Sequence, residues 1–296
     1  MNSKLVSTVE SIDIQGKSLW YHAIKRLRQN KAAMISLYCL LTLSLLVIIG
    51  PLLSPHQFDT IYWDAFLIPP TLSKAHFFGT DSNGRDLFVR ILIGGRLSLM
   101  IGLVSTVVSL IIGITYGAVA GYIGGKVDSI MMRLVDILYS LPFMFLVILL
   151  MVMFGRHIIL IFIAIGAINW LDMARIVRGQ TLSLKERDFV VAAKAMGIKK
   201  HHIILRHIIP NVLGIVVVYV TLTIPQVILA ESFLSFLGLG VQEPLTSWGS
   251  LVNDGAQEME TAPWTLIFPA FFLATTLFCF NFLGDGLRDA LDPKDR

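Results

Sequence analysis

Charged residues are scarce in this chain, and their scarcity excludes an ordinary soluble protein. They make up 15% of the 296 residues, against roughly 25% in soluble domains. Hydrophobic residues make up 55%, and the mean hydropathy is +0.74. A soluble protein of this length would form about two domains, but the apolar runs are too long for that. The composition therefore predicts an all-α integral membrane protein.

Cysteine and recognisable catalytic patterns are also scarce. Cys39 and Cys279 both lie in apolar runs, so neither a disulfide framework nor a zinc spacing is available. The phosphate-binding loop pattern requires Gly at position 120 and Ser or Thr at position 127, but this chain has Ala120 and Val127 there. No Ser/His/Asp arrangement follows from the spacing, and the net charge of +4 needs no nucleic acid to explain it. We expect no catalytic residue, no metal and no cofactor on this chain.

Six apolar segments are long enough to cross a hydrocarbon core, which takes roughly 20 helical residues. The predicted spans are Met34–Leu53, Leu97–Ala120, Ile137–Phe154, Ile158–Leu171 with an extension towards Ala174, Val212–Glu231 and Pro263–Leu283. Gly113, Gly117, Gly121 and Gly125 recur every four residues and share one helical face. Such a face lets a second helix approach closely.

Lysine and arginine are distributed unevenly between the two sides of the predicted membrane domain. Nineteen of the 24 lie in the N-terminal arm, around 123–133, in 174–209 and at the C-terminus. The positive-inside rule places these segments in the cytoplasm. The domain organisation is then an arm at 1–33 and a six-span domain at 34–296. The first apolar run is too long for a cleavable signal and predicts an uncleaved membrane anchor.

Basic residues surround one apolar face of the N-terminal arm. Trp20, Ile24 and Leu27 share this face, which predicts an interfacial helix on the inner leaflet in contact with lipid. A disordered basic tail that only fixes the topology is the alternative. Near the inner boundary, Arg133 and Asp136 are three residues apart, which predicts an i,i+3 ion pair.

Two external loops are expected, at 54–96 and 238–262. The first contains turn formers and charges that can pair locally. These residues are Gly79, Asp81, Gly84, Arg85, Asp86 and Arg90. The second carries Glu243, Asp254, Glu258 and Glu260 without any Lys or Arg. Loops of this size could receive a molecule delivered from outside, although each charge could also belong to an ordinary solvated turn.

Polar residues inside the predicted spans are candidates for a translocation path or for helix packing. Glu231 is the foremost of them, because an intramembrane carboxylate is costly. It could line a path or gate, or fix helix packing through a salt bridge or hydrogen bond. Weaker candidates of the same kind are Asn169, Asp172, Asn211, Gln226 and Asn281.

The predicted cytoplasmic loop 174–209 contains a basic, amphipathic stretch from Asp188 to Asn211. Phe189, Ala192, Ala193 and Met196 form one apolar stripe at helical spacing, which suits docking into a partner's groove. Gly197 can end this helix, and a second helix is expected to end before Pro210. His201, His202 and His207 are expected to be solvated or packing histidines.

Several motifs resemble those of permease subunits in ATP-binding-cassette importers. Val191-Ala-Ala-x-x-x-Gly197 followed by His207-Ile-Ile-Pro210 resembles their EAA loop, with Val191 in place of the glutamate and His207 in place of the later isoleucine. Phe78–Arg90, Glu231–Gly240 and Gly284–Lys294 look like the C subunit of dipeptide and oligopeptide permeases. Gly94–Met100, Trp170–Gln180 and Asp292–Arg296 favour the oligopeptide branch.

The resemblance implies a type I importer permease of the bacterial inner membrane, with six spans and a cytoplasmic coupling helix. Its partners would be a second, homologous permease subunit, two cytoplasmic ATPase subunits that bind ATP and Mg²⁺, and a periplasmic peptide-binding protein. The coupling residues would be Asp188, Phe189, Ala192, Ala193, Met196 and Gly197. ATP-driven closure of the ATPases would rock the spans and move oligopeptides from the periplasm to the cytoplasm.

Three other functions stay open at this stage. The chain could import dipeptides or another small solute within the same family. It could be a stand-alone, ion-coupled transporter, which favours buried carboxylates, broken helices and inverted repeats. Pro142, Pro225 and Pro269 lie inside spans, but the halves show no convincing repeat. A membrane-embedded enzyme is the third alternative and lacks a recognisable site.

Overall fold

The computed structural model describes residues 19–72, 75–155 and 158–291, and these residues form helices joined by short connections and one larger loop. The helices are α1 (Leu19–Gln29), α2 (Lys31–Leu53), α3 (Leu87–Ile123), α4 (Gly125–Ser140), α5 (Phe143–Phe154), α6 (Ile158–Leu184), α7 (Asp188–Ala195), α8 (Lys200–Ile203), α9 (Ile209–Phe236), α10 (Trp248–Gln257) and α11 (Trp264–Leu291). A π-helical turn, Ile204–Ile208, joins α8 to α9. The all-helical prediction is confirmed.

Among the described residues, four helices are long and apolar enough to cross a membrane. They are Lys31–Leu53, Leu87–Ile123, Lys200–Phe236 and Trp264–Leu291, and a fifth is counted if α4 and α5 cross together. This pair is bent by 80° where the sequence predicted one continuous span, Ile137–Phe154. The reason is Pro142, which lacks a backbone N–H and disfavours helical conformation in the residue before it. Leu141 is accordingly extended.

The second predicted span, Leu97–Ala120, misses the first ten residues of the helix. α3 starts at Leu87 rather than Leu97, because the Asp86 side chain accepts a hydrogen bond from the Val89 backbone N–H at 2.9 Å and caps the helix. The first turns of α3 are buried, including the side chain of Arg90. The external loop predicted at 54–96 therefore ends at Asp86.

The glycine face of α3 packs against α6 with the two backbones in contact. A Cβ atom at Gly113 would lie 2.5 Å from the Met173 Cβ, and one at Gly121 would lie 2.8 Å from the Arg178 carbonyl oxygen. Gly117 lies against the backbone of Ala174 in the same way. The predicted close approach is confirmed for these three glycines. Gly125 instead begins α4 with a φ of +58°, and a Cβ atom added there would have no neighbour within 4 Å.

Two ion pairs fasten α4 to α6. Asp128 accepts two hydrogen bonds from Arg178, at 2.5 and 2.6 Å, and Asp136 accepts one from Arg175 at 2.7 Å. The predicted pair between Arg133 and Asp136 is therefore wrong. Arg175 also stacks on the Tyr139 ring at 4.3 Å, so two contacts on α4 hold its guanidinium next to Asp136.

The Arg96 side chain donates hydrogen bonds to carbonyls of α2 next to the internal proline of that helix. Pro51 has no N–H to donate to the Val47 carbonyl, one turn earlier. The Arg96 side chain donates to that carbonyl and to the Ile48 carbonyl, both at 2.6 Å. Unpaired carbonyls are costly in lipid. The contact therefore lets α2 continue through Pro51 and joins α2 to α3.

The predicted N-terminal helix is present as α1 and packs against α2 and α11. Ile24 is exposed, whereas Leu27 is half-buried and contacts α11 close to Gly286. Residues 1–18 and the side chain of Trp20 lie outside the described residues, as do 292–296, which hold the end of the predicted C-terminal motif.

Candidate functional sites

The first candidate site is α7, which lies in the connection between α6 and the long helix that starts at Lys200. α6 runs to Leu184, so the connection is shorter than the predicted loop 174–209. Gly197 ends α7 with a φ of +74°. Its N–H donates to the Lys194 carbonyl at 3.0 Å, and the Ile198 N–H donates to the Ala193 carbonyl at 3.2 Å. This is the Schellman arrangement, and it confirms that Gly197 terminates the helix.

One residue of the predicted apolar stripe of α7 is buried, and the other three are exposed. Ala193 is 1% exposed and packs with Val190 in a core that includes Tyr122 and Ile203. Phe189, Ala192 and Met196 are exposed, Met196 by 72%. Ala193 therefore holds α7 onto the chain and is not available to a partner, which corrects its placement on the docking face. Sequence reasoning missed Val190, although its spacing of three from Ala193 was a visible signal.

The helix after Gly197 does not end before Pro210, contrary to the prediction. α8, the π-helical turn and α9 form one continuous helix, Lys200–Phe236. The wider π turn ends two residues before Pro210, in the turn where the missing N–H would interrupt the α-helical hydrogen bonds. The Asn211 side chain donates to the His207 carbonyl at 2.7 Å and satisfies a backbone group there. α7 is thus joined by four residues to a rigid helix that enters the membrane domain.

The second candidate site is the motif in the loop between α2 and α3. Asp81 organises it, because its side chain accepts from the Asn83 N–H and the Arg85 N–H, and also from the Arg85 Nε at 2.8 Å. Arg90 lies 3.2 Å from the same carboxylate. The predicted local pairing of these charges is confirmed, except for Asp86. That residue pairs with His76, whose Nδ1 lies 2.8 Å from its Oδ2.

Both glycines of the motif are required by close backbone contacts. Gly79 and Gly84 have φ values of +80° and +73°. A Cβ atom at either position would lie 2.5 Å from a carbonyl oxygen, that of Ile68 or that of Tyr62. The motif is therefore a tightly built turn that could not tolerate larger residues.

The two predicted external loops are joined by an ion pair. Arg85 Nη2 donates to Glu243 Oε1 at 2.8 Å. The hydrogen bond from Arg85 holds the pKa of the Glu243 carboxyl below its usual value, against a smaller opposite effect of burial. Glu243 thus stays charged at neutral pH. Sequence reasoning could not find this contact, because 158 residues separate its partners.

The second loop contains a ten-residue helix, α10, which the sequence analysis missed. α10 begins at a capping box formed by Ser247 and Ser250. Trp248 is fully buried, and its Nε1 donates to the Ile91 carbonyl at 2.9 Å. The signal was the spacing of Trp248, Leu251 and Gly255, all of which are buried. One side of α10 therefore packs against α3, α9 and α11, whereas Asp254 and Gln257 on α10 are exposed.

Glu231 lies fully buried on α9 beneath the start of α10. Its Oε1 accepts hydrogen bonds from Ser235 and Ser247, both at 2.7 Å. Among the described residues, its Oε2 has no hydrogen-bond partner and no cation pairs with the carboxylate. These contacts favour the alternative in which Glu231 fixes helix packing, and they do so through hydrogen bonds rather than a salt bridge.

The weaker polar candidates lie on three different helices. Asn169 is half-buried on α6 and donates to the Ile165 carbonyl at 3.0 Å. Gln226 on α9 and Asn281 on α11 are exposed in the single chain. Among the described residues, no hydrogen bond or ion pair joins these three side chains to one another or to Glu231.

Comparison with known proteins gives matches over almost the whole chain. Residues 113–296 match the family "Binding-protein-dependent transport system inner membrane component", and residues 18–70 match "N-terminal TM domain of oligopeptide transport permease C". The chain is 59% identical over 287 residues to the oligopeptide transport system permease protein OppC of Escherichia coli K12, covering 97% of this chain and 95% of that protein.

Two further relatives span both branches of the resemblance. The chain is 56% identical to the oligopeptide transport system permease protein OppC of Haemophilus influenzae, over 99% of this chain and 94% of that protein. It is 46% identical to the dipeptide transport system permease protein DppC of Bacillus subtilis, over 100% of this chain and 92% of that protein. The chain belongs to the family of inner-membrane components of binding-protein-dependent transport systems.

Proposed function

We propose that this chain is a permease subunit of an ATP-driven importer that passes oligopeptides from the periplasm to the cytoplasm. The observation that carries this proposal is 59% identity over 97% of the chain to a permease named for oligopeptide transport. The relative named for dipeptide transport is 46% identical. Import of dipeptides or another small solute is therefore the second candidate.

Separate ATPase subunits hydrolyse ATP, and one of them binds α7. Its exposed apolar side chains, Phe189, Val191 and Met196, are 41, 49 and 72% exposed in the single chain. The buried pair of Val190 and Ala193 anchors the opposite side of α7 to the membrane domain. Force applied to α7 passes through the Schellman turn into the helix that starts at Lys200. A rigid connection of this kind transmits movement better than a flexible tether.

The assembly contains a second, homologous permease subunit, two ATPases that bind ATP and Mg²⁺, and a periplasmic peptide-binding protein. The last of these docks on the external surface that contains the motif Gly79 to Asp86 and α10. Glu231 positions α10 against α9 through its two serine contacts. A pathway for peptides of varied sequence needs no single side chain that reads its cargo. Gln226 and Asn281 are exposed and are available to the pathway or to the partner subunit.

The proposed topology has six spans with both termini in the cytoplasm. α6 supplies the additional span, because its 27 residues extend about 40 Å at 1.5 Å per residue. The excess of Lys and Arg on the side of α7 supports this orientation.

Cysteine labelling tests the topology. After Cys39 and Cys279 are replaced by serine, we expect Ser82→Cys to react with a membrane-impermeant maleimide in intact spheroplasts, and Lys199→Cys to react only after permeabilisation. Both positions are exposed, so neither result depends on burial. The reverse pattern would contradict the proposed orientation.

Reconstitution tests the function itself. The chain is co-expressed with the proposed second permease subunit and the two ATPases, purified in mild detergent and placed in liposomes with the binding protein outside and ATP inside. We expect uptake of a labelled tetrapeptide or pentapeptide that requires ATP, the binding protein and the ATPases. Uptake by the isolated chain under an ion gradient would instead establish a stand-alone transporter. Uptake of dipeptides alone would favour the second candidate.

A further inference from the structure

Two histidines and an aspartate meet where three segments of the first external loop converge. His56 follows the end of α2, His76 lies in the middle of the loop, and Asp86 caps α3. One potential ligand atom from each residue lies within 4.8 Å of the other two. His76 and Asp86 are buried, whereas His56 is half-buried and gives the cluster an exposed side.

Hydrogen bonds and stacking fix both imidazole rings. The rings of His56 and His76 stack with their centroids 4.4 Å apart and an angle of 17° between their planes. His76 Nδ1 lies 2.8 Å from Asp86 Oδ2, and His56 Nδ1 lies 2.8 Å from the Tyr62 hydroxyl. The other oxygen of Asp86 accepts from the Val89 N–H, which fixes the carboxylate as well. An imidazole whose second nitrogen is held by an oxygen partner outside the ligand set, as His56 is by Tyr62, is typical of metal ligands.

We propose that His56, His76 and Asp86 form a binding site for a divalent transition-metal ion of the zinc class. Two imidazoles and one carboxylate are a ligand set that Zn²⁺ accepts, with water completing four-coordination. Ca²⁺ and Mg²⁺ require oxygen ligands and do not suit two imidazoles. Zinc–ligand distances are about 2.0–2.2 Å, so a cluster with ligand atoms up to 4.8 Å apart closes by a small movement of the half-buried His56.

The bound ion would tie the outer end of α2 to the start of α3. These two helices are already joined by Arg96, which bonds the α2 carbonyls of Val47 and Ile48. The external site would add a second connection near the motif of Asp81 and Arg85. Because the ion binds the folded loop, zinc raises the stability of the protein by mass action.

Metal binding is tested on the tag-free full-length chain in detergent, titrated with Zn²⁺ and with Co²⁺. We expect one ion per chain, a melting temperature that rises with Zn²⁺ concentration, and visible absorption from four-coordinate Co²⁺ that Zn²⁺ abolishes. His56→Gln removes one ligand but leaves the contact between His76 and Asp86, and it is expected to weaken Zn²⁺ binding by more than about tenfold. Tyr62→Phe is expected to weaken it by about tenfold through loss of an orienting hydroxyl.

The matched control is His201→Gln, which alters an exposed histidine on α8 and is expected to leave Zn²⁺ affinity unchanged. Equal Zn²⁺ affinity in wild type and His56→Gln would overturn the proposal. So would a Co²⁺ spectrum of six-coordinate solvent type in the wild-type protein, which needs no variant to fold. Neither result depends on peptide transport, so failure here would leave the proposed function untouched.

Discussion

Ala192→Arg is expected to abolish ATP-dependent peptide uptake while the chain remains folded in the membrane. Ala192 lies on the exposed side of α7, where the proposed ATPase partner contacts the helix. A long charged side chain would prevent close approach, so uptake should fall by at least about tenfold and peptide should no longer stimulate ATP hydrolysis. Substitutions on an open surface usually change stability by less than about 0.5 kcal/mol, so membrane levels should be normal.

Two variants at neighbouring positions make this result interpretable. Ala192→Ser keeps a small side chain and is expected to transport normally. Ala193→Arg places the same charge in the core with Val190 and Tyr122, and is expected to lower the amount of folded protein. Normal uptake by Ala192→Arg, in an assembly that still contains both ATPases, would exclude α7 as the coupling element.

The contrast between these adjacent alanines shows what the sequence could and could not predict. The short helix and its glycine end follow from local propensity, and the structure has them at Asp188–Ala195 and Gly197. Which alanine faces inward depends on packing against Tyr122 of α3 and against Ile203, and neither contact follows from helical spacing within α7. A stripe of apolar residues at helical spacing cannot distinguish the side anchored to its own chain from the side presented to a partner.

The same limit explains the errors elsewhere. Pro210 predicts a break when considered locally, but a π turn and the Asn211 side chain allow the helix to continue. The pairing of Asp86 with His76 and of Arg85 with Glu243 depends on loop closure rather than on sequence neighbours. α10 was missed because only ten residues form it, too few to be recognised as a membrane span. The close approach at the glycine face of α3 was predicted correctly, because glycines spaced by four residues share one side of a helix whichever helix packs there.

A substitution in that glycine face is expected to cause a large loss of stability. Gly117→Ala is expected to destabilise the protein by roughly 1–3 kcal/mol, the usual cost of overpacking. A Cβ atom there would lie 2.9 Å from the Arg178 backbone nitrogen and 3.0 Å from the Val177 Cβ, as well as against the Ala174 carbonyl. These are mostly backbone atoms, so α3 and α6 must move apart.

Gly214→Ala provides the matched control, because it makes the same substitution inside α9 with no atom within 4 Å of the new Cβ. Alanine favours a helix interior by roughly 0.5–1 kcal/mol over glycine, so this variant should be as stable as the wild type or more so. The measurement is the fraction of monodisperse protein left after heating in detergent, followed by size-exclusion chromatography. Equal melting of the two variants would contradict the backbone contact between α3 and α6. A selective loss for Gly117→Ala would show that this contact limits the stability of the membrane domain.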